Sequence, residues 1–286
     1  MERRSLIKQL LTTSKTDFSL LFSLIVIFIL IIFSIIPQYI ARYDYQYVNL
    51  SERLDPPSWK YPLGTDFLGR DLVSMIIWGS RFALIEMIWP TAVAACIGVS
   101  LGLIAGYVGG IFDEVIMRVV DVLMSFPDLL LALAILTILG PGLTNAIWSV
   151  TIGRIASYVR LSRSLALPMR EVGYVDYAKA LGASNTRIMS RYILPNIMAP
   201  IIVQMTFSMP STLIAIAGLS FLGLGDRPPT AEWGVLLQQS RMYLVYAPWA
   251  ALVPGFIIFI VSFAFNNIGE ALRDIVDPRR KYFRLL

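Results

Sequence analysis

The 286-residue chain contains no histidine. That absence removes His general bases, His-activated nucleophiles and His-ligated metal centres from its chemistry. Its one cysteine, Cys96, stands in an apolar run, so no disulfide framework can hold the fold. Charge is scarce: Asp, Glu, Lys and Arg make 15% of the chain, where a soluble domain carries about 25%. No Gly-x-x-x-x-Gly-Lys-Ser/Thr run occurs, and none of the lysines follows a glycine. The chain therefore cannot cradle nucleotide phosphates by that motif. Internal repeats and low-complexity tracts are also missing.

What is plentiful is apolar sequence. Hydrophobic residues make 57% of the chain and the mean hydropathy is +0.69, which puts it in the membrane class. The net charge of +5 then reads as charge on cytoplasmic loops rather than a nucleic-acid surface. A bilayer core about 30 Å thick takes about 20 apolar residues as a helix. Stretches near 18–40, 83–107, 119–140, 143–165, 196–222 and 247–268 qualify. The first follows Arg3, Arg4, Lys8 and Lys15. Its apolar run is long and Ile36-Pro37-Gln38-Tyr39 is no small-residue cleavage site, so an uncleaved span is expected.

Lys and Arg set the expected orientation. With the N-terminus inside, inner segments hold the N-terminal cluster, Arg118, then Arg160, Arg163, Arg170, Lys179, Arg187 and Arg191, then Arg273 and the C-terminal cluster. Outer segments hold fewer: Arg42, Arg53, Lys60, Arg70, Arg81, Arg227 and Arg241. The positive-inside rule predicts N-in and C-in. The expected fold is an all-α membrane protein of six transmembrane helices. A cytoplasmic N-terminus covers 1–17, a first span 18–40 and an external segment 41–81. The transmembrane domain covers 82–286, with a cytoplasmic loop at 166–195 and an external loop at 223–246.

Several local signals refine this plan. In the external segment Gly64 and Gly69 suit turns, and Asp66 or Thr65 can cap a short helix leading to the second span. This segment reads equally as a structured interfacial loop or a docking surface. Gly98, Gly102 and Gly106 recur at i, i+4 and i+8, giving the second span a smooth face for close packing. Phe126-Pro127-Asp128 predicts a kink or a helix first turn in the third span. Gly140-Pro141-Gly142 forces a turn before the fourth. Charges inside or at the edges of spans are Glu86, Asp121, Asp128 and Arg154. Asp121 falls near an inner end, and Glu86 near the outer end with water in reach. A charge at mid-membrane costs about 3 kcal/mol on insertion scales, so Asp128 and Arg154 are candidates for the lining of a pathway.

The inner loop is the most structured polar stretch. Pro168 fits a helix first turn, Tyr174, Tyr177 and Leu181 form a narrow apolar stripe over 169–181, and Gly182 can end that helix in the left-handed conformation. Ser184 suits the N-cap of a second helix running to Leu194, where Pro195 breaks it. Such a hairpin can sit in a partner's groove or lie on lipid headgroups as an amphipathic loop.

Asp176-Tyr177-Ala178, Gly182 and Leu194-Pro195 resemble the Glu-Ala-Ala-x3-Gly-x9-Ile-x-Leu-Pro loop of permease subunits of ATP-binding-cassette importers. The spacing matches; Asp176, Tyr177 and Tyr192 replace Glu, Ala and Ile. Residues 62–71, Phe126-Pro127, Gly140-Pro141-Gly142-Leu143, Leu181-Gly182-Ala183-Ser184, 220–225, Trp233-Gly234, Ala264-Phe265-Asn266, Leu272-Arg273-Asp274 and Asp277-Pro278-Arg279 resemble the peptide/nickel branch. In order, they are similar to its second, C-type, permease. The resemblance implies a type I importer permease in the cell (inner, cytoplasmic) membrane. Its implied partners are a homologous second permease, two ATPase subunits that hold ATP and Mg, and an external substrate-binding protein, with no nucleic acid. It further implies that the chain is no enzyme and holds no cofactor or metal. Glu171, Tyr174, Asp176, Tyr177, Ala178, Leu181, Gly182 and Ala183 would form the ATPase contact. Sidedness and content make the loops at 62–71 and 226–241 candidates for binding-protein docking, through Asp66, Arg70, Asp71 and Trp233.

Di- and oligopeptides are the expected cargo; nickel and oligosaccharides are also carried by this branch. Two rivals belong to other classes. Gly223-Leu224-Gly225-Asp226 with Tyr43-Asp44 fits the pattern of intramembrane aspartyl proteases, but Arg227-Pro228-Pro229 follows at once and both aspartates fall at outer span ends. An ion-coupled secondary transporter would call for repeats and coupling charges that this chain does not display.

Overall fold

The computed structural model describes residues 18–276. The N-terminal basic cluster and the Asp277-Pro278-Arg279 stretch lie outside that range. Among the described residues the chain is helical, with one isolated bridge between Thr65 and Asp71. The main helices are α1 (Phe18–Ile35), the short α2 (Pro37–Ile40), α3 (Leu72–Val108), α4 (Gly110–Met124), α5 (Asp128–Leu139), α6 (Leu143–Met169), α7 (Gly173–Ala180), α8 (Asn185–Ile188), α9 (Leu194–Phe221), α10 (Trp233–Ser240) and α11 (Pro248–Val276).

Among the described residues four helical runs are long and apolar enough to cross a membrane: α1, α3, the stretch Asn185–Phe221 and α11. A fifth arises if α4 and α5 together make one broken crossing. The hydroxyls and arginines of α6, among them Arg154 and Arg160, lower its hydropathy, though its 27 residues would reach about 40 Å.

Three expectations change in detail. The third stretch is no simple kinked span: α4 and α5 are bent by 94° at Ser125-Phe126-Pro127, where Pro127 takes the N-cap of α5 and has no N–H to continue α4. The second span starts well before 83. Asp71 is its cap, in place of Asp66 or Thr65; its carboxylate accepts the N–H groups of Val73 and Ser74 and the Ser74 hydroxyl. Pro195 does not break the second hairpin helix. It sits in the first turn of α9, where a missing N–H costs nothing, and α8 runs into α9 through a π-helical turn at Met189–Ile193.

The tightest seam joins α3 to α6. A Cβ at Gly98 would lie 2.5 Å from Tyr158 Cβ, at Gly102 2.0 Å from Ser162 Oγ, and at Gly106 2.9 Å from the Arg163 carbonyl. Ser162 Oγ donates to the Gly98 carbonyl at 3.2 Å. The glycine face thus lets two backbones meet, as its spacing predicts. At one end of α3, Ala83, Met87, Leu213, Ala217, Trp233, Leu236, Val261 and Phe265 form the largest core. At the other end a second core joins α3, α6 and α9 to the segment after Met169.

Candidate functional site

Two polar assemblies sit at opposite ends of α3, and each carries residues singled out by the sequence. The hairpin at 170–193 is built as follows. Pro168 belongs to the last turn of α6, so the hairpin helix is α7, shorter than 169–181. Gly182, at φ 78°, ends it. The Ala183 N–H donates to the Ala178 carbonyl and the Gly182 N–H to the Lys179 carbonyl, the paired closure of a left-handed cap. Ser184 caps α8 through the Arg187 N–H.

Only one face of this hairpin is anchored. Val175, Ala178, Ile188 and Ile193 are buried with Leu103 and Tyr107 of α3, Ala166 of α6 and Ile197 of α9. Tyr107 Oη donates to Asn185 Oδ1 at 3.2 Å. The stripe read from the sequence points the other way: Tyr177 is 76% and Leu181 88% exposed. Glu171, Tyr174, Asp176 and Gly182 share that outer side. Among the described residues Asp176 holds only an exposed pair with Lys179 at 3.2 Å. Of the expected contact residues, Ala178 is an internal anchor and Ala183 is partly buried. Val175 and Ile188 complete the anchor. Their small or branched apolar side chains among polar neighbours were the available signal.

At the other end, residues 41–71 and 223–247 form a cap. Arg70, 1% exposed, is its centre. Its guanidinium donates to Asp66 Oδ2 at 2.6 Å, to the Thr230 carbonyl at 3.3 Å and to Gln239 Oε1 at 3.1 Å. Asp66 also accepts the N–H groups of Leu68 and Arg70. Gly69, at φ 71°, lies under Asn49, whose carbonyl oxygen would be 1.8 Å from an added Cβ. Trp249 Nε1 donates to the Thr65 carbonyl. Glu52 pairs with Lys60 and accepts the Tyr61 hydroxyl; burial first, and that carboxylate second, push the Tyr61 phenol up to about 12.

Asp66, Arg70, Asp71 and Trp233, expected on a docking surface, are all buried. Arg70, held by Asp66, ties the two loops, Asp71 caps α3 and Trp233 packs in the core; a charge in so dry a place stays only if it is paired and hydrogen-bonded. The outward surface of the cap carries Trp59, Met242, Val245 and Tyr246. Glu232 is a tie the sequence reading missed. Fully buried, it caps α10 by accepting the Gly234 and Val235 N–H groups at 2.7 and 3.1 Å. Burial pushes its carboxyl up to about 7, against those hydrogen bonds. Glu86, expected to reach water, is buried near it with Oε1 unpartnered among the described residues.

The remaining candidates separate. Asp128 is exposed at the start of α5, beside the bend. Arg154 is partly buried on α6. Asp121 pairs with Arg160 at 2.7 Å. Asp44 and Asp226, which aspartyl proteolysis would need together, are exposed and each accepts a local backbone N–H; a catalytic dyad instead shares a proton. Among the described residues no group of His, Cys, Asp and Glu could hold a metal ion.

Comparison with known proteins adds what geometry alone does not. The chain is 40% identical to the dipeptide transport system permease protein DppC of Haemophilus influenzae, over 91% of this chain and 90% of that one. It is 44% identical to the protein of the same name from Alkalihalophilus pseudofirmus, over 83% and 78%. It is 40% identical to the glutathione transport system permease protein GsiD of Pectobacterium atrosepticum, over 85% and 81%. A solved structure of the MetNI methionine ABC transporter aligns with TM-score 0.43 and 19% identity, over 67% of this chain and 97% of that one. Residues 98–282 match the model of binding-protein-dependent transport system inner membrane components. That stretch takes in the α3–α6 seam, the hairpin and half of the cap, and the chain belongs to the family of binding-protein-dependent transport system inner membrane components.

Proposed function

We propose that this chain is one of two permease subunits of a type I ATP-binding-cassette importer for di- and oligopeptides in the inner membrane. The observation that carries this reading is the breadth of its similarity to peptide-system permeases, which spans nearly the full length of both chains. Six crossings are assigned: α1, α3, the bent α4–α5 pair, α6, the run Asn185–Phe221, and α11. Both termini lie in the cytoplasm, as the excess of inner Lys and Arg supports.

In this reading the hairpin is where ATPase motion enters. The chain has no phosphate-cradling motif, so ATP and Mg belong to two partner subunits. Each ATPase takes up one permease hairpin, here through Tyr177, Leu181, Tyr174, Asp176, Glu171 and Gly182. The anchored face, Val175 and Ala178, carries the displacement to α3, α6 and α9 together. Closure of the ATPases then swings the helices between inward- and outward-facing states, a rigid-body switch. The homologous permease covers the apolar flank of α4 and α5, where Ile111, Val115, Val119, Val122, Leu130 and Ile138 are exposed. The binding protein docks on the cap, whose shape Arg70, Asp66, Asp71 and Trp233 hold and whose surface includes Trp59 and Met242.

The test is uptake of radiolabelled dialanine into proteoliposomes containing both permeases and both ATPases, with the binding protein outside. Tyr177→Asp with Leu181→Asp should lower binding-protein-stimulated ATP hydrolysis by about tenfold or more, as expected when charges enter a contact's apolar centre. Unchanged uptake in that variant would remove the hairpin from the coupling path. Uptake by the permeases without ATPases would overturn the importer class. A binding protein that retains nickel or oligosaccharide and no peptide would redirect the cargo.

A further inference from the structure

Three arginines lie along α6, and they are treated differently. Arg160 pairs with Asp121 at 2.7 Å. Arg163 pairs with Asp113 through two nitrogens. Both carboxylates come from α4. Arg154, nearly two turns closer to the middle of the helix, has no hydrogen-bond or ion-pair partner among the described residues. It stands about 17 Å from the Leu143 end at 1.5 Å per residue, close to the centre of a 30 Å core. A cation there is costly and by default belongs to a pathway.

Among the described residues no carboxylate pairs with Arg154. One turn away on α6, Tyr158 is buried and its Oη has no hydrogen-bond partner. Ser208 of α9 approaches that phenol without completing a bond, and Arg154 acts on it electrostatically. Thr151, one turn the other way, is buried and donates to the Ile147 carbonyl at 2.6 Å. On α9, Ser211 and Thr212 both donate to the Ser208 carbonyl. Pro210 removes the N–H that would otherwise reach the Thr206 carbonyl. Across the α6–α9 seam the buried Tyr158 phenol thus faces Ser208, with the Arg154 guanidinium one turn away on α6.

We propose that Arg154, with Tyr158 Oη, is a mid-membrane site for the α-carboxylate of a peptide in transit. A guanidinium presents a fork that fits a carboxylate through two N–H groups, and a phenol O–H can donate a third hydrogen bond. The pairing is transient by design of the location. With no acid of the described residues to displace, Arg154 takes the carboxylate as it arrives and frees it when water follows. This inference rests on the peptide reading above.

The experiment compares dialanine with dialanine amide in the reconstituted importer, each presented on saturated binding protein so that delivery is equal. Wild type should move the amide about tenfold more slowly, since a desolvated charge pair loses at least that much with one partner gone. Arg154→Gln should lower dialanine uptake to the amide's rate and leave the amide's unchanged. Arg154→Lys should restore part of the difference, and Tyr158→Phe should narrow it. Equal losses for both probes, or an Arg154→Gln complex that fails to assemble in size-exclusion chromatography, would make Arg154 a contact to the second permease and overturn the proposal. So would a wild type that moves both probes alike. A wild type that moves neither, with peptide absent from its binding protein, would instead sink the peptide reading beneath it.

Discussion

The cap and the hairpin are both polar excursions between apolar helices, yet they are built on opposite principles. In the cap the charged residues are inside. Arg70, Asp66, Asp71 and Glu232 are buried: Arg70 reaches Thr230 and Gln239 with Asp66 as its counter-charge, and Asp71 and Glu232 each close a helix end. In the hairpin the charged and aromatic residues are outside, and a few small apolar side chains tie it down. A buried charge with its partners in place fixes one arrangement and punishes any other. An exposed aromatic face has no such commitment inside its own chain and is available to a second one. The cap is thus held by its own contents, while the outer face of the hairpin awaits its contents from elsewhere.

The contrast breaks most visibly at Arg70. Arg70→Met strands the Asp66 carboxylate in a dry site and should cost about 3–5 kcal/mol, read as a lowered unfolding midpoint in detergent. Asp66→Asn added to it should return part of that loss. Arg70→Met without a shift would mean that the cap is not held by its charges.

Two glycines test the same difference on the backbone. Both Gly69 and Gly182 are left-handed, at φ 71° and 78°. An added methyl at Gly69 meets the Asn49 carbonyl, and at Gly182 it meets nothing within 4 Å. Gly182→Ala should therefore cost only the left-handed term, about 1–2 kcal/mol. Gly69→Ala should cost more than Gly182→Ala in the same melting experiment. Equal costs would show that the cap relaxes as freely as the hairpin.

Titration should touch the cap at Glu232. Its folded value, about 7, stands above the ordinary 4.5 because burial disfavours the charged form. The folded state then holds a proton that the unfolded chain has released, so stability present below about pH 4.5 is lost as pH rises through about 7. Glu86 and Asp226 are the acidic neighbours that face it. Glu232→Gln should flatten the decline of unfolding midpoint between pH 5 and 8. A decline that survives the substitution would assign the proton elsewhere.

The smallest effect belongs to the hairpin. Tyr177→Ala and Leu181→Ala remove exposed side chains and should leave stability within about 0.5 kcal/mol, although they fall on the proposed ATPase contact. A large loss of stability would mean that this face packs inside the chain after all.

These differences also explain what could be read from residues alone. The glycine face of α3, the Gly182 stop and the Ser184 cap rest on local rules, and the structure has them where their spacing says. Burial of Asp66 and Arg70 depends on Thr230 and Gln239, more than 150 positions away, and no local rule reports such a partner. Charge near a span end therefore read as docking surface when it was a tie. The 94° bend at Pro127 was visible as a proline but not in its size, since the angle depends on how α4 and α5 each pack on α6. Pro195 was misread because a proline that ends one helix and a proline that opens the next look alike in sequence. The stripe of Tyr174, Tyr177 and Leu181 was legible as a stripe, and only Val175 and Ala178 beneath it show which side it faces.

The seam between α3 and α6 has a bearing on leakage. A membrane that stores energy as ion gradients tolerates no continuous file of water through its transport proteins. Along Gly98, Gly102 and Gly106 the two backbones approach so closely that an added methyl would overlap its neighbours, and no column of water fits between them. In a transporter such a seam would act as electrical insulation on one side of α6. In the importer proposed above, any wetting that cargo requires would then have to use faces of α6 other than the one turned to α3, so that passage and sealing would fall to different sides of a single helix.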